Sequence, residues 1–140
     1  MKEQNFKGGC LCGAIRYEVI GEPVIVAHCH CVDCQKASGA GHSTGAMYSL
    51  DKFSLTGKVS EYIVTSNNST EVSRVFCPTC GSSLFGKNTG SPDYVTISLG
   101  TLDDASSFIP EVRIFTNNCM PWDNMDEAIE SFGEQPEWSP

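Results

Sequence analysis

Eight cysteines fall within 140 residues, and seven of them sit in three tight groups: Cys10-x-Cys12, Cys29-x-Cys31-x-x-Cys34 and Cys77-x-x-Cys80. Cys119 stands alone. No apolar signal-peptide core precedes Gly8-Gly9-Cys10, so the expected compartment is the reducing cytoplasm, where thiols stay free. Clustered, reduced thiols point to metal ligation rather than to disulfides. A chain of this length reads as one domain, 1–140, with a core over about 6–122 and an extension over 123–140.

Cys77-Pro78-Thr79-Cys80-Gly81 is the most specific of the three patterns. Pro presets a turn, Gly permits the positive φ that follows it, and two thiolates then face one ion with backbone N–H groups close by. The knuckle supplies two ligands and needs two more. Cys10 and Cys12, on a hairpin over residues 8–13, are the natural pair, so Cys10, Cys12, Cys77 and Cys80 are expected to enclose one metal. Joining segments this far apart makes metal binding part of folding, with ~10–16 kcal/mol measured for zinc in small peptides. Zinc is expected rather than iron, because no four-cysteine iron–sulfur spacing is present.

Cys29 and Cys31 lie two apart, so an extended strand turns both to one face. A helix over Val32–Ser38, stopped by Gly39, brings Cys34 round in its first turn, where the helix dipole favours thiolate. Three thiolates leave one position of a zinc tetrahedron open, as in catalytic sites. Spacing alone weighs this equally against a closed site whose fourth ligand is Cys119, His28, His30 or His42. Hydrogen-bonding or surface roles are the alternative for the histidines, and a half-buried free thiol is the alternative for Cys119. The glycine-rich loop over residues 38–45 lacks the Lys and following helix of a phosphate-binding loop.

The formal charge is −8, and seven ligand thiolates with two zinc ions take it to about −11. Such a chain repels nucleic acid and anionic membranes, and no basic stripe offsets this. No apolar run reaches the ~20 residues that span a bilayer. Short apolar segments (Ala14–Ile20, Val24–His28, Ala46–Leu50, Phe53–Leu55, Tyr62–Thr65, Val72–Phe76, Ser83–Phe85, Tyr94–Leu99 and Val112–Phe115) read as strands, with a turn at Asn67–Thr70. Met125, Ala128, Ile129 and Phe132 predict one short amphipathic helix over 123–132, with Asn124 and Glu127 as its cap. The sum is a mainly β chain organised around cysteine clusters.

Gly9-Cys10-Leu11-Cys12-Gly13, Cys29-His30-Cys31-Val32-Asp33-Cys34 and Arg74-Val75-Phe76-Cys77-Pro78-Thr79-Cys80-Gly81 together resemble the glutathione-dependent formaldehyde-activating enzyme family, which includes centromere protein V. The resemblance covers about residues 6–122. It implies a β-tent fold, two folded antiparallel sheets with little helix, also used by type B methionine sulfoxide reductases. It implies two zinc ions per chain: a structural one on Cys10, Cys12, Cys77 and Cys80, and a catalytic one on Cys29, Cys31 and Cys34. The implied activity is that of a carbon–sulfur lyase, joining a small thiol such as glutathione to an aldehyde such as formaldehyde, in a monomer or homodimer. A three-thiolate zinc is a weak Lewis acid toward water, which favours a substrate thiol as its fourth ligand. His30, His42 or a water is a candidate for the proton, and Lys36, Arg74 and Arg113 are candidate partners for substrate carboxylates. The rival readings are a non-enzymatic zinc-stabilised binding module and a sulfoxide reductase using Cys119.

Overall fold

The computed structural model describes residues 4–66 and 68–136. The strands, in chain order, are β1 (Asn5–Gly9), β2 (Arg16–Ile20), β3 (Ile25–Cys29), β4 (Ser43–Ser49), β5 (Phe53–Thr56), β6 (Ser60–Thr65), β7 (Glu71–Phe76), β8 (Ser83–Asn88), β9 (Tyr94–Ser98), β10 (Val112–Ile114) and β11 (Glu130–Ser131). The one α-helix among the described residues is α1 (Val32–Ser38). One sheet runs β1-β2-β5 and the other β11-β10-β3-β4-β9-β8-β7-β6. Pairing is antiparallel except where β10 lies parallel to β3 and to β11.

Side-chain alternation decides what fills the space between the sheets. Tyr17 and Val19 of β2 are buried, as are Ala46 and Tyr48 of β4 and Val95 and Ile97 of β9, each pair two residues apart and so on one face. Phe53 of β5 joins the sheets, its ring 5.8 Å from that of Tyr17 and 5.0 Å from that of Phe85 on β8. Each such apolar side chain contributes about 1.5–3 kcal/mol by leaving water. The fold is mainly β, the expected β-tent of two sheets, antiparallel except for the parallel pairings of β10. No helix among the described residues is long and apolar enough to cross a membrane.

Three expectations need correction. The segment 123–132 is not a helix: Asp126 closes a turn on Ala128 and Ile129, and Glu130–Ser131 pairs with β10 instead. The backbone bonds from Phe132 N to Arg113 O, 2.8 Å, and from Thr116 N to Phe132 O, 3.1 Å, satisfy groups that a short helix would leave to its own weak nucleus. Asn124 and Glu127 therefore cap nothing. Second, the loop expected over 38–45 ends at His42, because Ser43–Gly45 belong to β4. Third, the hairpin expected over residues 8–13 gives up Gly8 and Gly9 to a strand, β1, which begins at Asn5. In the Asn67–Thr70 turn, Asn67 lies outside the described residues, and Ser69 takes a left-handed φ of 66°.

Gly8 explains why a glycine stands inside β1. A Cβ there would lie 2.5 Å from the Thr101 carbonyl oxygen and 2.6 Å from the Tyr17 ring, where the two sheets meet. At Gly100 a Cβ would meet nothing within 4 Å. Gly8→Ala is expected to cost about 1–3 kcal/mol in thermal or urea unfolding through overpacking, and Gly100→Ala to stay near wild type. Equal stabilities would show that β1 does not need this close approach.

Candidate metal centres and the adjoining groove

The N-terminal turn and the Cys77–Ser82 knuckle are each bent by a glycine with positive φ, Gly13 at 82° and Gly81 at 78°. Cys10 Sγ lies 3.6 Å from Cys12 Sγ, and Cys12 Sγ 3.8 Å from Cys77 Sγ. Cys80 completes a group whose four sulfurs all lie within 4.8 Å of one another. Tetrahedral zinc–sulfur bonds of ~2.3 Å place sulfurs about 3.8 Å apart, so the group is already at ligand spacing. Ser82 ties the two segments together: its hydroxyl accepts from Leu11 N at 3.0 Å and lies 3.2 Å from Cys80 Sγ. Hydrogen bonds from the Ser82 side chain and backbone pull the Cys80 thiol down to about 5. Cys12, although the Ala14 backbone favours its thiolate, is pushed up to about 11 by Cys10, burial and the other two thiols.

The triplet is built where β3 gives way to α1. Cys29 ends the strand, and Cys31 caps the helix by accepting from Cys34 N at 3.3 Å. Cys34 sits in the first turn, and Gly39 ends the helix with φ 71°. The three sulfurs lie within 4.8 Å of one another. Among the described residues no further His, Cys, Asp or Glu joins them, so Cys119, His28, His30 and His42 are all outside the group. Hydrogen bonds from the thiols of Cys29 and then Cys31 hold Cys34 far below the usual thiol range, helped by Ser43 and the charge of Arg74. Cys29 is pushed upward, first by the Cys31 thiol and then by the Cys34 thiol and burial. Three crowded thiols thus share the protons that a divalent cation would replace, and both sulfur groups suit zinc in donor type and spacing.

Beside the triplet runs an open groove of about 370 Å³ between α1 and the β6–β7 hairpin. Lys36 and Arg74 line it together with Tyr62, Val64 and Phe76. Arg74 connects groove and triplet, its Nη2 4.0 Å from Cys34 Sγ. Arg113, also proposed as an anion partner from sequence, faces elsewhere: its Nε donates to His30 Nε2 at 3.3 Å and its Nη2 to Cys119 Sγ at 3.4 Å. Cys119 is half-buried.

The histidines gather on the other side of β3. His30 follows Cys29, so alternation turns it to the opposite face, where it is fully buried. His42 and Asp123 join it, with His42 Nδ1 2.8 Å from Asp123 Oδ2. His28 hydrogen-bonds Thr44 Oγ1 at 2.7 Å, and burial and then the His42 charge hold its imidazole down to about 4. Asp123 had no signal in the sequence: it lies 81 residues from His42, in a segment that reads as helical.

A mainly β-tent chain with one four-cysteine and one three-cysteine group defines a class of protein whose cysteine clusters could hold metal ions. The chain belongs to the glutathione-dependent formaldehyde-activating enzyme family, whose model matches residues 5–118. The crystal structure of a Rhodobacter sphaeroides protein shares the fold, with a TM-score of 0.58 at 20% identity over 74% of this chain and 97% of that one. A search of curated proteins found no relative. Membership supports a formaldehyde-activating function with sites for metal, and implies glutathione and formaldehyde-like small molecules as substrates.

The two cysteine groups differ in what they hold together, which gives an expectation for their loss. Cys80→Ala removes a donor that joins the N-terminal turn to a segment across the sheet. It should lower stability by several kcal/mol, on the order of the free energy of a structural metal site. Cys34→Ala should remain folded by circular dichroism and lose one metal per chain by elemental analysis. Equal loss of fold in both variants would contradict this division.

Proposed function

We propose that the protein is a zinc-dependent carbon–sulfur lyase-type enzyme that forms or cleaves the adduct between a glutathione-like thiol and a formaldehyde-like aldehyde. Cys10, Cys12, Cys77 and Cys80 hold a structural zinc, and Cys29, Cys31 and Cys34 hold a catalytic one, within a single domain working in a reducing cytoplasm. The observation that carries this reading is three converging thiols with no fourth ligand among the described residues, next to a groove containing Lys36 and Arg74. When bound, the ion supplies a position at which an entering thiol loses its proton.

The chain's own residues do the rest. Lys36 and Arg74 set two positive charges against the one negative charge of Asp33 in the groove of a protein of charge −8, an excess suited to the carboxylates of a glutathione-like thiol. Tyr62, Val64 and Phe76 supply apolar walls for its backbone and hold it beside the triplet. In the addition, sulfur bonds to the aldehyde carbon, the carbonyl π bond opens, and the oxygen takes up the thiol proton. No oxidant or reductant is consumed. His30 and His42 face Asp123 on the other side of β3, which leaves water as the proton carrier at the triplet. A non-enzymatic binding module would be favoured by a fourth protein ligand, and no described residue offers one.

Cobalt substitution tests the proposal, because thiolate-to-cobalt charge transfer reports sulfur ligation. Glutathione should alter that band in wild type and not in Cys34→Ser, and S-methylglutathione, which has no thiol proton, should leave it unchanged. Adduct formation should exceed the spontaneous rate and fall at least about tenfold in Arg74→Gln through lost charge pairing. A band unmoved by millimolar glutathione would rule out glutathione as the ligand. Binding without acceleration would leave a thiol-binding protein.

A further inference from the structure

Asp123 enters the His30–His42 pair through a gap that only a glycine leaves. A Cβ at Gly41 would lie 2.5 Å from Asp123 Oδ2 and 2.6 Å from its carboxyl carbon, so the loop backbone packs directly on the carboxylate. There Asp123 Oδ2 meets His42 Nδ1 at 2.8 Å and His30 Nδ1 at 3.3 Å. All three donor atoms fall within 4.8 Å of one another. His30 is 0% exposed, yet its Nδ1 has no hydrogen bond of normal geometry. The ring has the Asp123 carboxylate at 3.3 Å and the Gly41 backbone beside it, neither in normal hydrogen-bond geometry with Nδ1, so this buried nitrogen is only weakly satisfied, which is uncommon.

We propose that His30 Nδ1, His42 Nδ1 and Asp123 Oδ2 form a third metal site, which takes a divalent first-row transition ion. Bonds of ~2.0–2.2 Å to nitrogen and oxygen put donor atoms roughly 2.8–3.6 Å apart for angles between octahedral and tetrahedral. The two separations involving Asp123, 2.8 and 3.3 Å, lie at that spacing. Two imidazoles and one carboxylate form a borderline-hard donor set with positions left over, unlike the all-sulfur groups. The site is separate from the triplet, because strand alternation puts His28 and His30 on the face opposite Cys29. It draws on β3, β4's leading loop and the segment after Cys119, which positions Asp123 through its backbone bond from Asp123 N to Met120 O at 3.0 Å.

Arg113 fits this reading as the group that yields. Its Nε now donates to His30 Nε2, so the His30 proton resides on Nδ1, facing Asp123. Loading the site leaves the remaining imidazole proton on Nε2, and Arg113 gives up that bond while Nη2 keeps Cys119 Sγ at 3.4 Å. The ion must therefore displace one hydrogen bond and sit near a cation, which makes this the weakest of the three sites and the last to fill.

Cobalt titrated into the zinc-loaded full chain tests the proposal, with zinc content measured first, so that failure of the cysteine sites is seen independently. Wild type should take up one further cobalt ion per chain, with ligand-field absorption and no thiolate charge-transfer band. The imidazole NMR signals of His30 and His42 should broaden. Asp123→Asn and His42→Gln should lose this ion while keeping their zinc. If either variant fails to fold, the broadening in wild type still decides. No uptake by millimolar cobalt, uptake with thiolate bands, or uptake unchanged in both folded variants would overturn the site and leave a hydrogen-bonded cluster.

Discussion

Cys12 Sγ of the N-terminal turn lies 3.6 Å from Cys10 Sγ and 3.8 Å from Cys77 Sγ of the distant knuckle, and four thiols at that spacing cannot all ionise without a cation between them. The N-terminal turn, the β7–β8 connection and the Ser82 bridge are arranged around this meeting. Without a metal the same constraint shows at Cys12, which, against the pull of its Ala14 backbone bond, the Cys10 thiol pushes up to about 11, while hydrogen bonds from Ser82 draw Cys80 down to about 5. A divalent ion turns four competing acids into four equivalent donors. The remaining fold can then be built from short strands with one apolar face each, since the N-terminal turn is tied to the middle of the chain.

A second constraint is the period of a strand. Around residues 28–31 the chain alternates His, Cys, His, Cys, and the sheet sends the two kinds of side chain to opposite sides. Sulfur donors face α1 and the groove with Lys36 and Arg74. Imidazoles face Thr44, Arg113 and Asp123. The parallel bond from His30 N to Ile114 O, 3.0 Å, carries the alternation one residue past β3 and so fixes both faces at once.

The parts of this arrangement that are legible in the sequence are local ones. Cys77-Pro78-Thr79-Cys80-Gly81 specifies its own turn, and the helix from Val32 to Gly39 carries its own cap and stop, so both can be read without knowing the fold. The β class follows from repeated short alternating runs for the same reason. Residues 123–132 misread because four apolar positions fit a helical face equally well as a turn followed by an edge strand, and Arg113 and Thr116 supply the partners that decide it. Gly8 and Gly41 each mark a close approach by a distant residue, and nothing in the sequence names Tyr17 and Thr101 as the one partner or Asp123 as the other. Asp123 is invisible in the sequence because its two histidines are brought to it only by the β3–β4–β10 pairing. Among the three cations suggested as anion partners, nothing local separates Lys36 and Arg74 from Arg113; the sheet register does.

The central claim is that the three-cysteine group differs from the four-cysteine group by one open position. An anomalous-scattering map at the zinc edge from crystals of the full chain measures this most directly. The account predicts a peak within Cys10, Cys12, Cys77 and Cys80 with four sulfur ligands, and a peak at Cys29, Cys31 and Cys34 whose fourth ligand is not a side chain of this protein. A protein side chain completing the second site, or no metal there in protein prepared without chelator, would contradict it.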